Sequence, residues 1–246
     1  MMAVFKNLRM ARGSFAAGVI HMLPMTLAAA PFGLIVGAMG RQVGLETWEL
    51  LFMSAAVFAG AAQFIALEMW TAPLPALAII GTVLMVNLRH ILMGAAIAPH
   101  IKGLSGWAKF PYLYAMADET WAMSLRSAIA EGHITSAYLM GLTVPFYINW
   151  LFWSYLGTQI GDLIRDPAVF GFDFVFTAVF ITLVFGFWRH NRQLAPIVAS
   201  ALVALLVREL VPGSWYIFIG SLAGVLAALV TFKPGAAPSI EGEDVL

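Results

Sequence analysis

Apolar residues fill this chain in long unbroken stretches, and its few charges fall between them. Runs free of Asp, Glu, Lys and Arg cover 13–40, 50–67, 69–88, 132–161 and 210–232, with shorter ones at 174–188 and 193–207. A helix needs roughly 20 mainly apolar residues to cross a hydrocarbon layer about 30 Å thick, because only internally hydrogen-bonded backbone survives there. The pattern predicts helices near 15–39, 49–70, 75–98, 136–161, 168–188, 194–211 and 214–232. The fold class it implies is all-α, a polytopic integral membrane helical bundle of about seven to eight spans.

The segment 108–130 has helical periodicity but carries Asp118, Glu119 and Arg126. It fits two placements, one flat at the interface and one crossing with its carboxylates turned inward. Lys6, Arg9 and Arg12 precede the first run and argue for a cytoplasmic segment 1–14 by the positive-inside rule. That first run reads as a span and not a cleaved signal: Pro31 would follow the A-x-A site directly, His21 interrupts the apolar core, and the chain downstream is equally apolar. The membrane-spanning domain then covers 15–232, and the acidic stretch 233–246 reads as a solvated tail.

Composition supports lipid over water: 61% of the 246 residues are hydrophobic, 11% are charged, and the mean hydropathy is +0.88. A formal net charge of +0 leaves no basic field for nucleic acid. Without cysteine there is no disulfide framework or thiolate metal site. The chain also lacks H-E-x-x-H, G-x-S-x-G and P-loop signatures. No catalytic residue, metal ligand or cofactor is therefore assigned.

An internal echo is present. Pro31-Phe32 is followed nine residues later by Gly40-Arg41-Gln42-Val43-Gly44, and Pro145-Phe146 twelve residues later by Gly157-Thr158-Gln159-Ile160-Gly161. A repeat of halves 15–100 and 136–232, linked by 101–135, would suit a transporter with inverted topology and broken helices around a midplane site. Gly33/Gly37, Gly157/Gly161 and Gly220/Gly224 form GxxxG patterns, which let helix backbones approach closely. For the last pair plain helix packing is the better reading; the first two flank the Pro-Phe elements.

Polar groups inside the runs are the candidate chemistry. Pro24 and Pro31 free backbone carbonyls mid-span, and Phe32 and Gly33 follow, the sequence form of a discontinuous helix or of a simple kink. In Phe58-Ala59-Gly60-Ala61-Ala62-Gln63 the amide must hydrogen-bond, to a substrate or to a neighbouring helix. Arg89, within Asn87-Leu88-Arg89-His90, needs a partner at hydrocarbon depth, unless it marks a helix end. Asp118 and Glu119 are adjacent carboxylates able to carry a coupling proton, or solvated charges if their segment is interfacial. Asp173 and Asn149 are lone polar groups in apolar surroundings, open to a ligand or to a packing hydrogen bond.

The blocks PFGLIVGAMGRQVGL, MSAAVFAGAAQFIAL, NLRHILMGAAIAPHI, ADETWAM and FGFDFVFTAVFITL, in this order, resemble the AzlC family of bacterial branched-chain amino acid exporters. Phe-Ala-Gly-Ala-x-Gln at 58–63 and Asn-Leu-Arg-His at 87–90 are the most specific pieces. The resemblance implies a multi-pass subunit of the bacterial inner (plasma) membrane that exports valine, leucine and isoleucine with a small AzlD-type membrane partner. Joined to the polar residues above, it implies substrate contacts at Pro31, Phe32, Gly33, Phe58, Gly60, Gln63, Asn87, Arg89, His90 and Asn149, and proton coupling at Asp118, Glu119 or Asp173. Rival readings are a permease or channel for another small solute, an intramembrane enzyme, or a scaffold.

Overall fold

The computed structural model describes residues 13–161, 181, 194–211 and 215–231, and among them every regular element is an α-helix. Asp173, most of the expected span at 168–188, most of 1–14 and the tail 233–246 lie outside the described residues. The chain divides into two units, 1–177 and 178–246.

In the first unit, α1 (Phe15–Gln42) starts at Ser14, whose hydroxyl accepts the Ala17 N–H at 3.1 Å. It runs unbroken through Pro24 and Pro31, so the expected discontinuity at Pro31 is absent. A proline costs a helix one hydrogen bond, and packing against a neighbour offsets that cost. The neighbour is α8 (Ser136–Ile160), the most extensive partner of α1.

Glycines set how closely the two approach. A Cβ on Gly37 would fall on the Ser154 carbonyl oxygen and lie 2.6 Å from the Gly157 Cα; one on Gly157 would fall on the Leu34 carbonyl oxygen. Gly18 and Gly141 meet in the same way nearer the start of both helices. Both GxxxG pairs beside the Pro-Phe elements are thus packing devices. Contacts advance together, from Gly18 with Tyr138 and Gly141, through Gly33 with Trp153, to Arg41 with Gly161, so α1 and α8 run parallel. The two helices that carry the Pro-Phe echo therefore point the same way, and between themselves are not an inverted pair.

The breaks fall elsewhere. The expected span near 49–70 is two helices, α2 (Thr47–Ala56) and α3 (Gly60–Glu68), separated by non-helical backbone at Val57 and Ala59. The span near 75–98 is α4 (Ala76–Asn87) and α5 (Arg89–Ile101), joined by one turn residue, Leu88. The ambiguous segment is also two helices, α6 (Gly106–Tyr114) and α7 (Asp118–Glu131), with Ala115, Met116 and Ala117 between them. Among the described residues, α1 and the combined Ala76–Ile101 are long and apolar enough to cross a membrane. The outward faces are apolar, with Leu77, Leu84, Ile91 and Trp107 exposed.

In the second unit, α9 (Leu194–Leu210) and α10 (Trp215–Thr231) pack antiparallel. Gly220 sits against Ala204 and Ser200, and Gly224 against Ser200 and Pro196, the packing role expected of that pair.

Candidate functional site

Two interruptions of helical backbone, at 57–59 and 115–117, and the α4–α5 junction at Leu88 come together in the first unit. At the α2–α3 break, Phe58 projects into the rings of Phe146, Tyr147 and Trp150, with centroids 6.1, 4.9 and 6.4 Å away. The break strands carbonyls at the end of α2. Tyr147 Oη donates to the Ala55 carbonyl at 3.0 Å, and Tyr114 Oη, from the last residue of α6, donates to the same carbonyl. Gly60 opens α3 against the Trp150 ring, which a Cβ would meet at 2.8 Å.

Gln63 is 2% exposed and its amide is engaged at both ends. Its Nε2 donates to Ser54 Oγ at 2.7 Å, and its Oε1 accepts from Trp150 Nε1 at 2.9 Å. The Ser54 bond carries geometric information. Nine residues of straight helix advance about 13.5 Å, whereas a serine, a glutamine and their hydrogen bond bridge only about 10 Å. The chain therefore turns at 57–59, and α3 does not continue the axis of α2.

At the second cluster, Arg89 Nη1 meets Asp118 Oδ2 at 2.8 Å, joining the start of α5 to the start of α7. The pair is about a quarter to a third exposed, with side chains at 31% and 25%. Asp118 and Glu119 occupy the first turn of α7, where the helix dipole favours carboxylates. Thr120 Oγ1 accepts the Ala117 N–H at 2.9 Å and holds that start in place. One turn further on, Trp121 Nε1 donates to the Met93 carbonyl at 3.0 Å. His90 Nδ1 lies 3.2 Å from the Asn87 carbonyl oxygen. Asn87 Oδ1 and Arg89 Nε are buried atoms without a hydrogen-bond partner among the described residues.

The sequence-derived candidates thus sort into three places. Phe58, Gly60 and Gln63 share the first cluster with Trp150; Phe32 reaches its edge through Phe64, at a centroid distance of 6.4 Å. Asn87, Arg89, His90, Asp118 and Glu119 belong to the second. The two are linked by the α6–α7 break, since Tyr114 reaches Ala55 and Asp118 reaches Arg89. Asn149 belongs to the α1–α8 seam, where its Nδ2 donates to the Thr26 carbonyl at 2.9 Å and its Oδ1 accepts from Trp153 Nε1 at 3.1 Å. Gly33 is also a seam residue, and Pro31 is exposed on α1. Sequence reasoning passed over Ser54, Tyr114, Tyr147 and Trp150. For Tyr147 and Trp150 a signal was present, because a Tyr or Trp inside an apolar run usually finds a partner for its O–H or N–H.

An open apolar groove of about 420 Å³ lies beside the first cluster, lined by Leu51, Ala55, Ile148, Leu151, Phe152 and Tyr155.

The AzlC protein family model matches residues 24–164, more than half of the chain and all of the stretch from Pro24 through α8. The chain belongs to the AzlC family. Both clusters lie inside the matched stretch. An uncharacterized membrane protein of Archaeoglobus fulgidus is 30% identical over 216 residues, covering 86% of this chain and 93% of that protein. The branched-chain amino acid transport protein AzlC of Bacillus subtilis is 22% identical over 218 residues, covering 88% and 85%. The inner membrane protein YgaZ of Escherichia coli is 24% identical over 230 residues, covering 91% and 93%. No solved structure matches the chain. As an AzlC-family chain it is a membrane protein of the transport class.

Proposed function

We propose that this chain is the large subunit of a secondary transporter that exports valine, leucine and isoleucine across the bacterial plasma membrane. It acts with a small AzlD-type membrane partner, and its transport domain spans 15–232. Family membership and the name of the Bacillus subtilis relative support the substrate class; the name of the Escherichia coli relative supports the location.

The observation that carries the reading is the polar cluster around Arg89. A guanidinium paired with Asp118, a free Nε and a free Asn87 Oδ1 sit midway along an apolar helix of membrane length. Such groups are costly in lipid, and those left without a full set of partners mark solute or ion paths more often than plain packing. A zwitterionic amino acid supplies the missing valences: its carboxylate accepts from Arg89, and its ammonium donates to Asn87 or to Glu119. The aromatic rings around Phe58, beside the same helix breaks, are apolar partners of the kind a branched aliphatic side chain needs. Of the three coupling candidates, Asp118 and Glu119 stand at this cluster.

Vesicles loaded with labelled valine or lysine test the reading, with the chain reconstituted alone and with the partner. Valine-selective efflux that needs the partner is the expected result. Folded protein that releases neither solute in either state overturns it, and equal release of both favours a less selective permease.

A further inference from the structure

We infer that 47–68 and 106–131 are re-entrant segments that dip into the membrane from opposite faces, and that the solute passes where their tips meet. The path deepens the proposed function and rests on it, whereas the topology stands on contacts alone.

Depth can be read off the α1–α8 seam. Its starting end is marked by Thr135 Oγ1 bonded to the Gly13 carbonyl, and its far end by Thr47 Oγ1 bonded to Thr158 Oγ1 at 3.2 Å. Helix α7 ends at Glu131, a short turn before α8 begins at Ser136, so α7 descends to the starting end. Helix α5 packs on α7, and the two advance together: Arg89 with Asp118, then Met93 with Trp121. Helix α5 therefore heads for the same end. The combined helix 76–101 is membrane-long, which puts α4 in the far half.

Helix α3 packs on α4, and its Phe64 touches Phe32 of α1. Helix α2 begins at the far end beside Thr158 and has turned back by Gln63. Both arms of 47–68 thus occupy the far half. Both arms of 106–131 occupy the near half, since α6 follows the end of α5 after only four residues. The tips touch at mid-depth, where Tyr114 Oη reaches the Ala55 carbonyl.

Charge gives independent support. In this arrangement Lys102 and Lys109 lie on the face where α1 begins, directly after Lys6, Arg9 and Arg12 in the sequence, while Arg41, Glu46, Glu49 and Glu68 lie on the other. That is the positive-inside pattern with a cytoplasmic N-terminus. If 47–68 crossed fully, Lys102 and Lys109 would face outward.

The chain has no cysteine, so single cysteines can be read without background. With the full-length protein in intact cells, Thr71→Cys is expected to react with a membrane-impermeant maleimide, and Gly103→Cys to react only after permeabilisation. Both sites are open loop positions. The reverse pattern, which full crossings produce, overturns the inference. In a third variant, Val57→Cys, external valine is expected to slow labelling relative to lysine, whereas equal labelling with either solute removes the path from the tips. If the topology holds while no solute is released, the transport reading fails and the re-entrant arrangement stands.

Discussion

Helix α1 contains two prolines and stays whole; the segment 47–68 contains none and breaks. Judged by local propensity alone the order should be reversed, since proline is the strongest helix breaker. Surroundings make the difference. Helix α1 lies along α8 with glycine backbones in contact at two levels, and leaving that groove would cost more than one missing hydrogen bond. At 57–59 the chain gains an aromatic nest for Phe58, two tyrosine hydroxyls for the Ala55 carbonyl and two partners for Gln63. A continuous helix would forgo all of them.

The strongest attack on this contrast is at the seam. Gly37→Leu places a branched side chain against α8 backbone, where overpacking costs about 1–3 kcal/mol in cores that can partly relax and more where only backbone is available to move. Loss of the monodisperse peak of detergent-solubilised protein in size-exclusion chromatography is expected, with Gly81→Leu, which faces open space, as the tolerated control.

Next in size is the ion pair between α5 and α7. Asp118→Ala leaves the Arg89 guanidinium without its carboxylate, a loss of about 1–3 kcal/mol for a pair that is neither surface nor fully buried. A lower melting temperature and loss of valine efflux are expected. Exchanging the two residues, Arg89→Asp with Asp118→Arg, should restore part of the thermal stability; if it restores none, the attraction between the two groups is not what holds α5 to α7.

A smaller effect is expected at Gly60→Ala, which pushes the Trp150 ring that Gln63 bonds. The indole should shift, costing about 1 kcal/mol and changing the emission maximum of Trp150 in a chain whose other tryptophans are replaced by phenylalanine. The smallest belongs to Pro31→Ala. Because α1 is already continuous there, melting temperature and efflux should stay close to those of the parent protein; a large loss of either would show that Pro31 works as the discontinuity its sequence suggests.

Much of the outline was legible without coordinates. A charge at Arg89 and an amide at Gln63, each inside an apolar run, had to find partners, and each has one. The partners were not legible: Asp118 is 29 positions from Arg89, and Trp150 is 87 from Gln63. Asn149 read like Gln63 in sequence but tethers the seam, because an amide in an apolar run meets the same requirement whether it faces a solute path or a neighbouring helix.

Hydrophobic run length and sparse charge by themselves pointed to helices made for lipid, since apolar runs of membrane length suit helices whereas the strands of a membrane barrel alternate apolar and polar residues. The order of its motifs also placed it in its family. Which helices stay whole, which turn back, and which polar groups meet were decided by the tertiary structure. Those outcomes depend on close approach between segments a hundred residues apart, and on hydrogen bonds whose value in an apolar medium exceeds any local preference of the chain.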